Sequence, residues 1–192
     1  MAQRILIVQG HPDPERGHFV PALAQAYAEG AGAAGHEVRI IEIGALEFPL
    51  VRSRVDWEAD DVPADIATAQ QSLLWADHLL LVYPLWLGTM PALLKGFLEQ
   101  LLRPRFAFGE KPGRVGHPLR GRSARIVVTM GMPAPVYRWY FRAHSLKSLE
   151  RNILHFCGIR PVRASVVGSV EGSATRRERW LRRMRELGAR AR

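Results

Sequence analysis

The chain has 192 residues, 47% of them apolar, which is the size of one domain built on one sizeable core. Its single cysteine, Cys157, excludes an internal disulfide and fits a reducing, cytoplasmic setting, while no apolar run reaches the roughly 18 residues of a membrane-spanning helix and the first residues do not read as a signal peptide. The net charge of +9 would fit a nucleic-acid binder, but residues 176–192 alone hold eight Arg against two Glu, a surplus of six, so most of the excess belongs to one segment.

The elements alternate along the chain. Residues 4–8 (RILIV) predict a short buried strand, and 19–34 a helix with Val20, Leu23, Tyr27 and Ala31 at helical spacing. A second strand follows at 38–43. Asp61 and Pro63 open a second helix, on which Ile66, Ala69, Leu73 and Ala76 share a face. Residues 78–83 (HLLLVY) predict the most uniformly apolar strand. Residues 91–102 predict a helix, with Thr89 as its cap and Pro91 in its first turn. A fourth strand is expected at 125–129, a helix at 145–157 ended by Gly158, and a fifth strand at 163–167. The basic segment 176–192 predicts an amphipathic helix, with Trp180, Leu181, Met184 and Leu187 inward and arginine outward. A solvated face accounts for it; an anionic partner such as a membrane surface or an acidic protein is the alternative.

Apolar strands alternating with helices predict a parallel sheet covered on both faces. Five such units fit an α/β doubly wound sheet of order 2-1-3-4-5, in one domain spanning 1–192. In that architecture ligands sit beyond the carboxyl ends of the strands where the winding reverses, so the loops after strands 1, 3 and 4 carry the chemistry. The stretch 103–124 is long for a connection and is expected to act as a lid or interface piece. A literal G-x-G-x-x-G at 30–35 (GAGAAG) ends a helix instead of opening one, so its amides cannot face a pyrophosphate. The seven histidines show no metal-ligand spacing, and no metal is expected.

The loop after the first strand places His11 directly beyond it and leads through Gly17, His18 and Phe19 into the helix, whose N-terminus carries free N–H groups. It reads as an anion site. The loop after the third strand sets Pro84, Leu85, Trp86 and Leu87 where a polar turn belongs. That apolar corner makes sense beneath a flat aromatic ligand, with N–H groups of Leu87 and Gly88 at its edge. The loop after the fourth strand, Thr129, Met130, Gly131, Met132, turns tightly, and Gly131 allows close backbone approach. Together the three describe a site for a ligand like flavin mononucleotide.

These residues resemble a known family, the flavodoxin-like NAD(P)H:quinone oxidoreductases, which include the animal DT-diaphorase type and the bacterial ancillary flavoproteins of glutathione-gated potassium efflux. The resemblance is carried by ILIVQGHPDPERGHFVPAL, HLLLVYPLWLGTMPALLKGFLEQLL, FAFGE, PLRGRSARIVVTMGMP and ILHFCGI, which span most of the chain. It implies FMN or FAD held by His11 and the start of the first helix, by Pro84–Gly88 and by Thr129–Met132. It also implies a homodimer with sites at the subunit interface. The implied cycle is ping-pong: NAD(P)H gives a hydride to flavin N5 and leaves, and a quinone then takes it from the same position. Tyr137 matches in spacing a family tyrosine that stabilises charge on the reduced ring; His144 stands one residue from the matching histidine.

Two departures matter. Gly17 stands where the family places Ser or Thr, and Val20 where it places Asn near the phosphate. Hydrogen bonds to a charged group contribute about 1.5–3 kcal/mol each, so weakened flavin binding is expected. Two other functions stay open at this level. One is a regulatory subunit of a membrane cation transporter with little turnover; the other is an azo- or nitroreductase that differs only in acceptor. No nucleic-acid partner is expected.

Overall fold

The computed structural model describes residues 1–15, 17–109 and 118–192. Its strands are β1 (Arg4–Gln9), β2 (Glu37–Glu42), β3 (His78–Pro84), β4 (Ser123–Thr129) and β5 (Val162–Val167), all parallel and ordered β2-β1-β3-β4-β5. The order follows from the burial of each segment. β1, β3 and β4 are apolar nearly throughout and fill the centre; β2 and β5 carry exposed charges such as Arg39 and Arg163 and take the edges. Alternation then divides the core. Ile5 and Ile7 of β1 face α1 (Phe19–Ala33) and the final helix α7 (Ala174–Ala189), while Leu6 and Val8 face α3 (Ala64–Trp75) and α4 (Ala92–Leu101).

Several expectations are corrected. The helix after β3 starts at Ala92 with Pro91 in the capping position, and Thr89 pairs instead with Trp86. The helix expected at 145–157 is a short α6 (His144–Ser148) continued by a π-helical stretch, Leu149–Leu154. A further π-helical turn, Val136–Tyr140, precedes it. Two five-residue helices were not foreseen, α2 (Arg54–Glu58) and α5 (Pro104–Phe108). The second lies inside the stretch expected as a long loop, of which 110–117 lie outside the described residues.

The foot of the sheet carries a buried histidine. His78, 2% exposed, pairs Nδ1 with Ser123 Oγ at 2.7 Å, and its Nε2 has no partner among the described residues. Burial, reinforced by the nearby Arg125 and Arg163 charges, pushes its imidazole down from the ordinary value to about 4. The unfolded chain takes up this proton near pH 6.5, the folded chain only near 4, so stability is full above pH 6.5 and declines as pH falls toward 4. We expect a loss of about 2 kcal/mol from this group between pH 6.5 and 5. Urea midpoints measured at pH 7.5 and 5 should differ less in His78→Leu than in the wild type; an unchanged difference removes His78 as the cause.

Candidate active site

The carboxyl ends of β3, β4 and β5 end level with one another, Pro84 paired with Thr129 and Thr129 with Val167, while β1 ends two residues short, Gln9 opposite Val82. Gly10 N–H donates to Val82 carbonyl at 2.7 Å, which folds the β1 loop against β3 and buries His11 to 7% exposure. The main-chain N–H of His11 donates to Gln9 Oε1 at 2.6 Å, and its Nδ1 accepts the Asp13 N–H at 3.2 Å. Nδ1 also lies 3.3 Å from the Asp13 carbonyl oxygen, so Asp13 fixes the ring through Nδ1 in either tautomer. Burial first, and the neighbouring His18 second, push this imidazole below its ordinary value and favour the neutral form.

His18 stacks on His11 with centroids 3.9 Å apart, and its Nε2 meets Asp13 Oδ2 at 2.8 Å. The main-chain N–H of Glu15 and the His18 ring hold the Asp13 carboxyl below the usual carboxylate range. His18 also occupies the N-cap of α1 without a capping side-chain bond, and no acidic residue stands in the first turn. The N–H groups of Phe19 and Val20 at the start of this 15-residue helix are therefore available to an anion, while Pro21 has none to offer. Gly17 is exposed, and Phe19 turns its ring toward the α1–α7 core.

The β3 loop is built for display. Leu85 N–H donates to Thr129 carbonyl at 2.7 Å, tying this loop to the next. Trp86 and Thr89 exchange both N–H···O bonds, at 2.9 and 3.0 Å, and close a tight turn through Leu87 and Gly88 at φ 45 and 82. A branched side chain at positive φ is strained, and Leu87 has no packing to offset the strain because it is fully exposed. The N–H groups of Leu87 and Gly88 have no partner among the described residues. Trp86 is 47% exposed and stands edge-on to His11, centroids 5.6 Å apart. Its own neighbours do not plug the corner: a cavity of about 470 Å³ opens beside it, lined by Leu87, Met90, Lys95, Ser145 and Ser148.

The loop after β4 is strapped to the exit of β5. Met130 N–H donates to Val167 carbonyl at 2.9 Å, and Ser169 N–H to Met132 carbonyl at 3.0 Å. Met130 is buried in the core, so its N–H and side chain do not face the cleft as expected; Gly131 is exposed and Met132 is half-buried against the core. Tyr137 also departs from expectation. It is 2% exposed, and its hydroxyl accepts Leu146 N–H at 3.2 Å while bonding Ser145 Oγ at 2.8 Å. The buried hydroxyl props the 137–146 segment. His144 is exposed at the start of α6. Lys95, Ser145 and Ser148 were not anticipated; only Lys95 had a signal, as the lysine of the P-A-x-L-K-G run. Among the described residues no cluster of His, Cys, Asp or Glu could hold a metal.

A parallel 2-1-3-4-5 sheet with ligand-ready loops at its switch point defines a flavodoxin-like α/β protein. The chain belongs to that family, described as Flavodoxin-like fold, which matches residues 3–189. Within it the chain stands with the NAD(P)H oxidoreductases and quinone reductases. It is 27% identical over 169 residues to an uncharacterized NAD(P)H oxidoreductase of Haemophilus influenzae, covering 86% of this chain and 83% of that one. It is 28% identical over 187 residues to ribosyldihydronicotinamide dehydrogenase [quinone] of Homo sapiens, covering 82% and 78%. An NAD(P)H:quinone oxidoreductase from Methanothermobacter marburgensis shares the fold, with TM-score 0.82 at 23% identity over 98% of this chain and 96% of that one.

Proposed function

We propose that the chain is a flavin-dependent NAD(P)H oxidoreductase that passes two electrons to a quinone-like acceptor. The oxidoreductase class is that of its relatives. The observation that carries the flavin is the Leu87–Gly88 turn: strained, exposed, with two N–H groups lacking a partner among the described residues, and set beside Trp86 and His11. Such strain persists where a ligand uses the conformation.

The residues present fit the group. The α1 N-terminus, with Gly17, His18 and Phe19, would take a phosphate, with the His11 ring beside it. Pro84, Leu85 and Trp86 would form the wall, and Gly131 and Met132 the opposing edge. When bound, FMN or FAD supplies an acceptor and donor of hydride at N5. The protein's part is to hold the ring, exclude water on the Trp86 side and offer main-chain donors where negative charge gathers. NAD(P)H and the acceptor would use the cavity beside Trp86 in turn, near the Lys95 ammonium, which is paired with Glu99. A second copy of the chain would cover the apolar surface of Trp57 and Phe156, which is 62% exposed and packs on Phe108 at 4.9 Å.

The test is direct. The purified protein should be yellow, bleach anaerobically with NADH or NADPH, recover its colour with a quinone such as menadione, and release FMN or FAD on denaturation. A colourless preparation in which neither added flavin is quenched defeats the proposal.

A further inference from the structure

A cavity of about 650 Å³ lies at the outer edge of β5, where the chain leaves the β4 loop. It joins Pro133 and Pro135 to one side of α7, where Arg176, Arg179 and Arg183 line the opening beside Trp180. Directly after Pro135 the chain enters the Val136–Tyr140 turn, which buries Tyr137 and leaves the other large side chains there and at Phe141 exposed. Trp139 is 79% exposed, Tyr140 80%, Phe141 46% and Val136 41%. Arg138 and Arg142, both exposed, flank these aromatics. On α7 only two arginines pair with a carboxylate among the described residues, Arg183 with Glu186 and Arg185 with Glu29. Among the described residues Arg138, Arg142, Arg176 and Arg179 have no such partner. A soluble surface has no use for four apolar side chains on one turn, and a purely electrostatic contact with phosphates has no use for Val136 or Phe141.

We infer that this face, the aromatic turn at 136–141 with the arginines behind it, docks the protein on an anionic lipid bilayer. Tryptophan and tyrosine settle at the level of the headgroups, and arginine beside them is drawn to the negative surface. No helix among the described residues is long and apolar enough to cross a membrane, so the attachment is peripheral. A second copy is the poorer occupant. An isologous contact through this patch would bring two sets of unpaired arginines together, like charge near like. The same turn continues from the loop that carries Gly131 and Met132, so docking brings the active site to the bilayer, where lipid-soluble quinones dissolve. That purpose rests on the proposed function; the docking itself does not.

The test is co-sedimentation of the protein as purified with vesicles of phosphatidylcholine alone or with about 30% phosphatidylglycerol, without NAD(P)H or quinone, so that its outcome is independent of the flavin assignment. Binding is expected only to the anionic vesicles, and should fall steeply with salt. Arg176→Gln with Arg179→Gln should lower the partition coefficient by roughly 20- to 30-fold, at about fivefold per arginine. Trp139→Ala with Tyr140→Ala should abolish binding at intermediate salt while leaving the melting temperature near wild type, since both side chains are exposed. Absence of binding to anionic vesicles at low salt overturns the inference. So does binding indifferent to either pair of substitutions, a Trp139→Ala variant that turns a dimer into monomers, or displacement of vesicles by an equal charge of single-stranded oligonucleotide.

Discussion

Gly30→Ala is expected to destabilise the fold by roughly 3 kcal/mol or more, among the larger effects of any single methyl group. The reason is where α1 and α7 cross. A Cβ at Gly30 would lie 2.0 Å from the carbonyl oxygen of Arg185 and 2.6 Å from its Cα, and a Cβ at Gly188 would lie 2.1 Å from the carbonyl oxygen of Tyr27. Each helix presses a glycine onto the other's backbone. A flexible side chain can swing aside from an added methyl, but a helical backbone yields only if the whole helix shifts. Such a shift opens the core beneath, including Val20, Leu23, Met184 and Leu187. Two positions on, Gly32 is exposed and a Cβ there meets nothing within 4 Å. Gly32→Ala should therefore stabilise, by up to about 1 kcal/mol, through helix propensity alone. Urea unfolding of both variants decides the matter. If they shift in the same direction, the close crossing is not what holds these helices together.

That crossing illustrates what the sequence could and could not disclose. GAGAAG reads correctly as a helix end and not as a dinucleotide loop, because it precedes β2 instead of following a strand. Nothing in it says that Gly30, and not Gly32, meets a partner 155 residues away. The sheet was legible because β1, β3 and β4 are buried on both faces and carry no polar alternation; order and winding followed from the helices between them. The short helices α2 and α5 have five residues each, too few to show a helical period. Thr89 has the chemistry of a cap, but the main-chain pairing with Trp86 claims it first. In the candidate site, the exposed Trp86 was legible as an apolar residue out of place on a loop. Tyr137 was misread for a physical reason. Spacing gives the distance of a side chain along the chain, not its direction, and the π-helical turn rotates this ring into the core, where Ser145 and Leu146 N–H engage it.

Gly10→Ala is expected to weaken FMN or FAD binding by 10- to 100-fold, as the roughly 1–3 kcal/mol of overpacking is transmitted to the site. Gly10 is the point at which the β1 loop leans on β3. A Cβ there would lie 2.8 Å from Leu94 Cδ2, 2.9 Å from Tyr83 Cβ and 3.2 Å from Val82 carbonyl oxygen. The leucine methyl can move; the other two atoms belong to the centre of the sheet and cannot. The strain is relieved by lifting the loop from β3, at the expense of the 2.7 Å bond from Gly10 N–H to Val82. His11 is the next residue, so it moves with the loop. Its 5.6 Å spacing from Trp86 and 3.9 Å stack on His18 both depend on that position. The wall and the anion site would then separate by a fraction of an ångström to an ångström, a displacement that costs affinity at both ends of one rigid ligand. Flavin fluorescence quenching measures the change and chemical denaturation measures the stability cost in parallel. A variant that loses stability yet binds flavin within twofold of wild type would show that the ligand does not bridge these two loops, and the site would have to be sought elsewhere on the sheet's carboxyl edge.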